Sequence, residues 1–290
     1  MQKTTFEYEI LLGEDASDDG TREICLNYAK QHPNKIRLFL HYRENNIHIG
    51  GSPTGRFILI SNLMSARGKY IALCEGDDYW TDPLKLQKQV DFLDSNPNYA
   101  ACFTNAIIVN QEKNTNQNFI LHEYNGQYNF KNILRNGGGF FPTASLVFRN
   151  NTMELSAEVM KHKSGDRALV MLLAEHGKFY LLNQFTCVYR KHPTGVFTSI
   201  SENPAERLKI DLDDIELYRT YNNYTKYKYN SYITELISNA SQRILFKYNN
   251  KITNEVKQQL YKNLKFIDYL RLVKNKLFSK QIKSIEKIKS

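Results

Sequence analysis

The sequence predicts an α/β protein in which a mostly parallel sheet is flanked by helices and followed by a helical C-terminal appendage. Three observations support this fold class. Short apolar runs alternate with helical patterns from Phe6 to Asp94 in the order strand, helix, strand, helix, strand, helix, which is the order of a parallel sheet with crossover helices. Further apolar runs follow up to Arg190. From about Pro204 onward, Tyr, Ile and Leu recur at helical spacing.

The individual elements follow from local patterns. Asp82 and Pro83 are typical of an N-cap and first helical turn, Gly68 and Gly177 are typical helix ends, and residues 110–129 are too polar for anything but a loop or hairpin. The predicted strands are Phe6–Gly13, Lys35–Tyr42, Tyr70–Cys74, Ala100–Val109, Ala144–Phe148 and Phe179–Arg190. The predicted helices are Thr21–Gln31, Gly55–Arg67, Pro83–Asp94 and Arg167–His176.

Length and composition limit the class of protein. With 290 residues, 41% of them hydrophobic, the chain can form a main domain over residues 1–200 and a helical, basic region over residues 201–290. No run approaches the roughly 18 to 20 apolar residues of a membrane span, and no signal-peptide core stands at the start. The four cysteines are widely spaced and are expected to be buried free thiols. We therefore expect a cytoplasmic protein.

Positive charge is concentrated in the segment Ser241–Ser290. It has 13 Lys and Arg against 3 acidic residues, a net +10, whereas the whole chain carries +9, which leaves −1 for residues 1–240. Two interpretations remain open: peripheral contact of residues 250–290 with an anionic membrane surface, or packing of an apolar stripe on the main domain. Nucleic-acid binding is disfavoured because no binding motif accompanies the charge. The stripe consists of Leu260, Leu264, Ile267, Leu270, Val273 and Leu277.

Three carboxylates, Glu75, Asp77 and Asp78, follow the third predicted strand. Carboxylates this close raise the free-energy cost of ionising one another, and a divalent cation removes that conflict. Their oxygens suit Mg²⁺ or Mn²⁺, and ligands of open α/β sheets bind beyond the carboxyl ends of strands. The sequence predicts a metal site here, with a solvated acidic turn as the alternative. A second acidic turn, Glu14–Asp15, would open on the same edge of a parallel sheet.

Three further features each allow two interpretations. Asp166 begins a predicted helix, either as its N-cap or as a catalytic carboxylate. His192 lies in a polar loop, either on a solvated surface or in a site. The triplet Gly137–Gly139 is typical of a tight turn, and the alternative is close approach of the backbone to a substrate.

Taken together, the segments of residues 6–195 resemble family 2 glycosyltransferases of the GT-A type, inverting enzymes that build bacterial surface polysaccharides. The resemblance implies a GT-A (Rossmann-like) fold and transfer of a sugar from a nucleotide-sugar, usually a UDP-sugar, to a hydroxyl of a saccharide or lipid-linked acceptor. It also implies Mn²⁺ or Mg²⁺ as cofactor. The matching segments, in family order, are Gly13–Thr21, Ala66–Ile71, Cys74–Trp80, Gly165–Asp166 and Val188–His192.

The resemblance assigns donor-binding roles to residues in the first three segments. Asp15, preceded by Glu14, would bind the nucleotide and accept a hydrogen bond from its base. Arg67 would lie near the donor phosphates. Glu75 stands where the family's Asp-x-Asp motif has its first Asp, and its carboxylate would reach the ribose.

The remaining roles concern the metal and the chemistry. Asp77 would hold the metal that bridges the donor diphosphate, Asp78 would support that site, and His192 would complete the metal or diphosphate site. Asp166 resembles the catalytic base. One positioned carboxylate suffices for direct attack on C1 with inversion, because it need only take the proton of the acceptor hydroxyl.

The start of the chain differs from the family pattern. Family members begin with a further strand, a loop that packs on the nucleotide base, and a helix. Here Met1–Thr4 leads almost directly into what would be the second strand. Either the start is truncated or misassigned, or the domain is a shortened variant; as it stands, one wall of the nucleotide pocket is expected to be absent.

Two other functions are weighed against a metal-dependent hexosyltransferase. One is a membrane-surface binding or scaffold protein of the same fold that is catalytically impaired. The other is a nucleotidyltransferase, which is disfavoured because residues 1–20 contain no Gly-rich phosphate loop with a basic residue near its start.

Overall fold

The computed structural model describes residues 1–46, 48–49, 52–120, 126–150, 155–193, 195, 200 and 203–270. The chain forms two compact units, Met1–Ser156 with Gly165–Ser199, and Ala157–Ser164 with Ile200–Ser290. The short segment Ala157–Ser164 was not expected in the helical unit. The assignment of residues 1–200 and 201–290 as separate domains stays a prediction.

The first unit is an α/β unit, which confirms the predicted fold class. Its helices, in chain order, are α1 Thr21–Gln31, α2 Arg56–Ser65, α3 Lys85–Ser95 and α4 Phe130–Asn136, with α6 Gly165–Ala174 after a short helix of the second unit, α5 Ala157–Met160. Its strands are β1 Ile10–Glu14, β2 Ile36–Leu40, β3 His48–Ile49, β4 Ser52–Pro53, β5 Tyr70–Ala72, β6 Tyr79–Trp80, β7 Tyr99–Asn110, β8 Thr115–Asn118, β9 Gly126–Tyr128, β10 Val147–Arg149 and β11 Lys178–Lys191.

The sheet is mixed rather than purely parallel. The long central strands β7 and β11 pair in parallel, and the strand order is β5-β10-β7-β11-β6, with β8 on β7 and β9 on β11. Strands β10, β6, β8 and β9 all run antiparallel to their partners. Only residues 111–114 join β7 to β8, and so short a connection allows only an antiparallel hairpin. Part of the polar loop at 110–129 is therefore the predicted hairpin.

Strands β1 and β2 form a separate parallel pair. Strands β1 and β5, which precede the two acidic turns, were expected in one parallel sheet. Among the described residues they belong to different sheets, so the shared-edge argument does not apply. Thr21, which follows the first acidic turn, nevertheless lines the same cleft as Asp77 of the second.

Helix α3 packs against strands β7 and β10 of the sheet. Leu86, Val90 and Leu93 recur at spacings of four and three and are buried, as expected for an amphipathic helix against a sheet. The same face also buries two polar side chains, Lys85 and Gln89, each 0% exposed. These two residues lie one helical turn apart.

Three of the four cysteines are buried free thiols, as predicted; Cys74 is free but exposed, against the prediction. Cys74 immediately precedes the acidic turn, where the chain leaves the sheet after β5, so its local apolar run did not indicate its burial.

The second unit is helical. It contains α5, α7 Pro204–Tyr224, α8 Asn230–Lys247 and α9 Asn254–Lys262, and α5 packs against α7. The Asp213 carboxylate joins these two parts: Oδ1 lies 3.2 Å from Nδ1 of His162, and Oδ2 accepts a 2.6 Å hydrogen bond from the Lys163 amide. The opposite ring nitrogen of His162 is 2.9 Å from Oγ1 of Thr220.

The predicted apolar stripe does not lie on one helix. Helix α9 ends at Lys262 and helical conformation resumes at residue 266. The Ser238 hydroxyl of α8 accepts a 2.9 Å hydrogen bond from the Lys265 amide at the break. Leu260 and Leu264 pack into the core of the helical unit itself. Val273 and Leu277 lie outside the described residues. Among the described helices, none is long and apolar enough to cross a lipid bilayer.

Candidate functional site

The acidic turn is a tight reversal between β5 and β6. The Asp78 amide donates a 3.1 Å hydrogen bond to the Glu75 carbonyl, which closes the turn. A β-carbon on Gly76 would meet nothing within 4 Å, so the tip of the turn is open. The backbone at the tip of the turn therefore faces open space.

Asp78 anchors the turn to β11. Its side chain is buried, and Oδ1 accepts a 2.9 Å hydrogen bond from the Arg190 amide, while the Arg190 guanidinium donates to the Asp77 carbonyl. Burial raises the pKa of Asp78 to about 6; the charge of Asp77 adds to this, and the Arg190 amide hydrogen bond opposes it. Asp78 thus anchors the turn to β11, and its role in supporting a metal site stays a prediction.

Asp77 and His192 come together although 115 positions separate them. Oδ2 of Asp77 lies 3.3 Å from Nε2 of His192, and their side chains are 46% and 23% exposed. Both face an open cleft of ≈ 500 Å³. The residues that line it are Thr21, Gly76, Asp77, Gln111, Arg190, His192 and Pro193.

The donor atoms of this pair suit a divalent ion. Among the described residues, no three His, Cys, Asp or Glu side chains form a ready-made cage. A nucleotide-linked Mg²⁺ normally takes only one or two carboxylates from the protein and completes its shell with water and phosphate oxygens. One exposed carboxylate beside one imidazole in an open cleft fits that requirement.

Glu75 borders solvent, yet protein atoms crowd its carboxyl group. This burial raises its pKa to about 7, and the negative charge of Asp78 adds to the effect. The Thr143 side chain opposes the rise by hydrogen bonding to the carboxylate. Neighbouring carboxylates raise each other's pKa in this way when no cation neutralises their charges.

Asp166 lies in the first turn of α6 and is exposed. A β-carbon on Gly138 would overlap its carboxylate, so the glycine triplet does permit a close approach, but to this protein side chain.

Burial raises the pKa of Tyr189 to about 12, reinforced by the charges of four carboxylates. Those four are Asp78, Asp77, Glu75 and Asp166, so the predicted base and the acidic turn act on one hydroxyl.

The first acidic turn divides its two carboxylates between different tasks. Glu14 is buried and accepts hydrogen bonds from the amides of Ala16 and Ser17, at 3.1 and 2.5 Å, and from Arg22 at 3.0 Å. Asp15 is partly exposed and accepts a 2.5 Å hydrogen bond from the Asn46 amide group. Only Asp15 is therefore available to a ligand without breaking the turn.

Arg67 lies away from the acidic turn, before the first residue of β5 rather than after its last. Its guanidinium and amide bind the Glu9 carboxylate, with Nη2 at 2.7 Å, and Arg37 binds the same carboxylate at 2.9 Å. Burial opposes ionisation of Glu9, but these hydrogen bonds outweigh it and lower its pKa to about 2. The structure thus gives Arg67 a partner that the sequence did not indicate, and its phosphate-binding role stays a prediction.

Two cationic residues escaped sequence reasoning. Arg56, the first residue of α2, is buried, and a β-carbon on Gly165 would lie 2.6 Å from its Nε, so its guanidinium lies against the residue preceding Asp166. Arg190 lines the cleft and holds the acidic turn. Arg190 stood in a matching segment, two positions before His192, and its place near the end of a predicted strand was a usable signal. Arg56 had none.

Comparison with known proteins matches residues 1–155 to the family described as Glycosyl transferase family 2. An uncharacterised protein of Mycobacterium bovis is 32% identical over 200 residues, which are 68% of this chain and 54% of that protein. The chain therefore spans about half the length of this relative.

Two Bacillus subtilis proteins match shorter stretches. EpsE, provisionally named a glycosyltransferase, is 33% identical over 104 residues, 36% of this chain and 34% of EpsE. TuaG, provisionally named a teichuronic acid biosynthesis glycosyltransferase, is 34% identical over 86 residues, 30% of each chain.

Proposed function

Because the chain belongs to glycosyl transferase family 2, we propose that it is a metal-dependent, inverting glycosyltransferase. It moves a sugar from a nucleotide-sugar, of the UDP type, to a hydroxyl of a saccharide or lipid-linked acceptor in surface-polysaccharide synthesis. The observation that best supports this is the pairing of Asp77 and His192 in an open cleft, with the Asp166 charge acting on the same Tyr189 hydroxyl as the acidic turn.

The donor is bound by its nucleotide and its diphosphate. Asp15 accepts a hydrogen bond from the base, and Glu75 reaches the ribose once its carboxyl is ionised. Asp77 and His192 would hold Mn²⁺ or Mg²⁺, which would supply positive charge to offset that of the diphosphate. Arg190, on the cleft wall, adds positive charge nearby.

The transfer step needs one carboxylate. Asp166 takes the proton of the acceptor hydroxyl as the acceptor oxygen bonds to C1 of the sugar. The bond from C1 to the diphosphate oxygen breaks on the opposite face, so the configuration at C1 inverts and the nucleoside diphosphate leaves. Asp166 suits this task because it is exposed, and its carboxylate lies close to the Gly138 backbone.

The test is substitution of the metal ligand. Asp77→Asn keeps the shape of the side chain and removes its charge, so transfer should be abolished while thermal unfolding stays cooperative. Asp91→Asn, on the exposed face of α3, is the matched control and should keep full activity. Full activity of Asp77→Asn would refute the proposal. Screening thermal shifts with UDP, GDP, dTDP and CMP, each with Mn²⁺, identifies the nucleotide.

A second readout does not need the acceptor. The chain has one tryptophan, Trp80, two residues beyond Asp78. Paramagnetic Mn²⁺ bound by Asp77 should quench its fluorescence in the wild type and not in Asp77→Asn. Quenching of equal strength in both proteins would place the ion elsewhere.

We further propose that the helical unit rests on the anionic inner face of the cell membrane. Phe266 and Ile267 are 77% and 53% exposed beside a strongly basic C-terminal segment, which suits an interfacial contact. Sedimentation with phosphatidylglycerol vesicles, but not with phosphatidylcholine vesicles, is expected, and Phe266→Ser should weaken it. The same surface also favours the alternative of a catalytically impaired membrane-surface scaffold. That alternative predicts vesicle binding without any heat of UDP binding in calorimetry at millimolar nucleotide with Mn²⁺.

A further inference from the structure

Residues 137–146, called here the bridging segment, run between the two halves of the proposed site. At one end the buried backbone of Gly138 lies against the Asp166 carboxylate. Towards the other end, the Thr143 side chain lies close enough to the Glu75 carboxylate to oppose the rise in its pKa, and the Leu146 carbonyl accepts a 3.1 Å hydrogen bond from the Leu73 amide just before the acidic turn. One stretch of backbone therefore contacts both the proposed base and the proposed donor site.

The bridging segment has its own internal hydrogen bonds. The Pro142 carbonyl accepts from both the amide and the hydroxyl of Ser145, at 2.9 and 2.7 Å, and the Leu146 amide donates to the Thr143 carbonyl at 3.0 Å. These bonds form a single short turn. Such a turn fixes its own shape but not its place against the rest of the unit.

Two side chains fix that place from outside. Nε1 of Trp80 donates a 2.7 Å hydrogen bond to the Ala144 carbonyl. Nε2 of Gln89 donates a 2.9 Å hydrogen bond to the Ser145 carbonyl and a longer one, 3.3 Å, to the Cys102 carbonyl of β7. Gln89 is 0% exposed, so losing its donor removes a hydrogen bond from the buried Ser145 carbonyl, which costs about 1–3 kcal/mol if that carbonyl is left unpaired.

We infer that Gln89 and Trp80 are positioning residues for the proposed transfer reaction, which they serve by holding the bridging segment and with it the spacing of Asp166 and Glu75. This inference rests on the proposed function. Neither side chain touches the reacting atoms. Loss of either side chain should slow sugar transfer, because a displacement of about 1 Å of a reacting group can lower the rate on the order of 100-fold.

The test uses the full chain with Gln89→Met and Trp80→Phe, singly and together. Each single variant should lower kcat about 10- to 100-fold. Because both release the same segment, the double variant should lose little more kcat than the worse single variant. Ser238→Ala, which removes a buried 2.8 Å hydrogen bond to Asp268 in the helical unit, is the control and should keep kcat.

Amide hydrogen exchange gives a readout that does not depend on sugar transfer. Peptides covering residues 137–146 should exchange faster in both single variants, and so should peptides covering residues 75–78 and 165–167. The inference would be overturned if the variants kept the wild-type kcat, or if the losses of kcat in the two single variants multiplied fully in the double variant. It would also be overturned if amide exchange became faster in residues 137–146 alone. If the wild type transfers no sugar, the proposed function fails. The inference is then decided by amide exchange in residues 75–78 and 165–167 alone. Trp80→Phe keeps the test decisive if Gln89→Met does not fold.

Discussion

The clearest quantitative prediction concerns Lys85, a charged residue with no exposed surface. Its ammonium lies 4.3 Å from the centre of the Trp80 ring and, among the described residues, has no hydrogen-bond partner. Burial lowers its pKa from 10.5 to about 8, an effect that the neighbouring Cys187, Cys102 and Cys74 only partly oppose. The perturbation is Lys85→Met, which removes the charge and keeps a long apolar side chain.

The magnitude follows from that pKa. A fall from 10.5 to about 8, at about 1.4 kcal/mol for each pKa unit, means that the buried charge costs about 3 kcal/mol. The contact with Trp80 returns about 1–2 kcal/mol, so Lys85→Met should raise the free energy of unfolding by about 1–2 kcal/mol at pH 7. Substitution of buried charges by apolar groups has such effects in other proteins.

The sign of the pH dependence is fixed by the direction of the pKa change. Below about pH 8 the lysine is charged in both states and the full cost is present. Between pH 8 and 10.5 the folded state loses its proton before the unfolded state does, so the wild type becomes more stable with rising pH. The advantage of Lys85→Met should therefore disappear over this range.

Urea unfolding at pH 7, 8.5 and 10 measures this difference. Lys88→Met is the matched control: Lys88 lies on the same helix but is 42% exposed and pairs with Asp82, so the change should stay within about 1 kcal/mol. A Lys85→Met protein that is less stable than the wild type at pH 7, or whose advantage is the same at pH 10, would show that the ammonium is not an uncompensated charge.

Two further predictions concern the site itself. Gly138→Ala should lower kcat at least 10-fold because the new methyl displaces the Asp166 carboxylate, whereas Gly139→Ala, which has nothing within 4 Å, should be active; equal rates would contradict the contact. The pKa values of Glu75 and Asp78 rise from 4.5 and 3.8 to about 7 and 6, so without metal the stability they contribute is present below about pH 4 and is lost as pH rises to about 7. In EDTA, the melting temperature should fall less for Asp78→Asn than for the wild type as the pH rises from about 4 to about 7. Saturating Mn²⁺ should remove this difference between the two proteins in the pH dependence of the melting temperature.

Local patterns predicted the elements that local forces determine. The alternating and wholly apolar runs located β1, β2, β5, β7 and β11, and the two acidic turns were visible as charge clusters after strands. Helix α4 was missed because its Asn-rich surroundings look like a loop. Asn129 and Asn132 form a reciprocal cap at its start, a signal that was present and not used.

What the sequence could not predict depends on partners far along the chain. Arg67 binds Glu9, 58 positions earlier, and Arg56 lies against Gly165; neither pair leaves a local pattern. The break after α9 is held by Ser238, so an uninterrupted apolar periodicity did not mean an uninterrupted helix. The meeting of Asp77 and His192 was expected only through the family resemblance.

The Asp213 carboxylate contacts both His162 and Lys163, and this limits how the chain can be shortened. A protein ended after residue 200 would keep Val159 and Met160, which are 0% and 1% exposed, but would lose α7, against which their helix packs. Those apolar side chains would then face water only a few positions ahead of Asp166. The helical unit therefore includes a short internal segment of the chain. For this reason, neither gene truncation nor recombination at a single point can remove the whole unit.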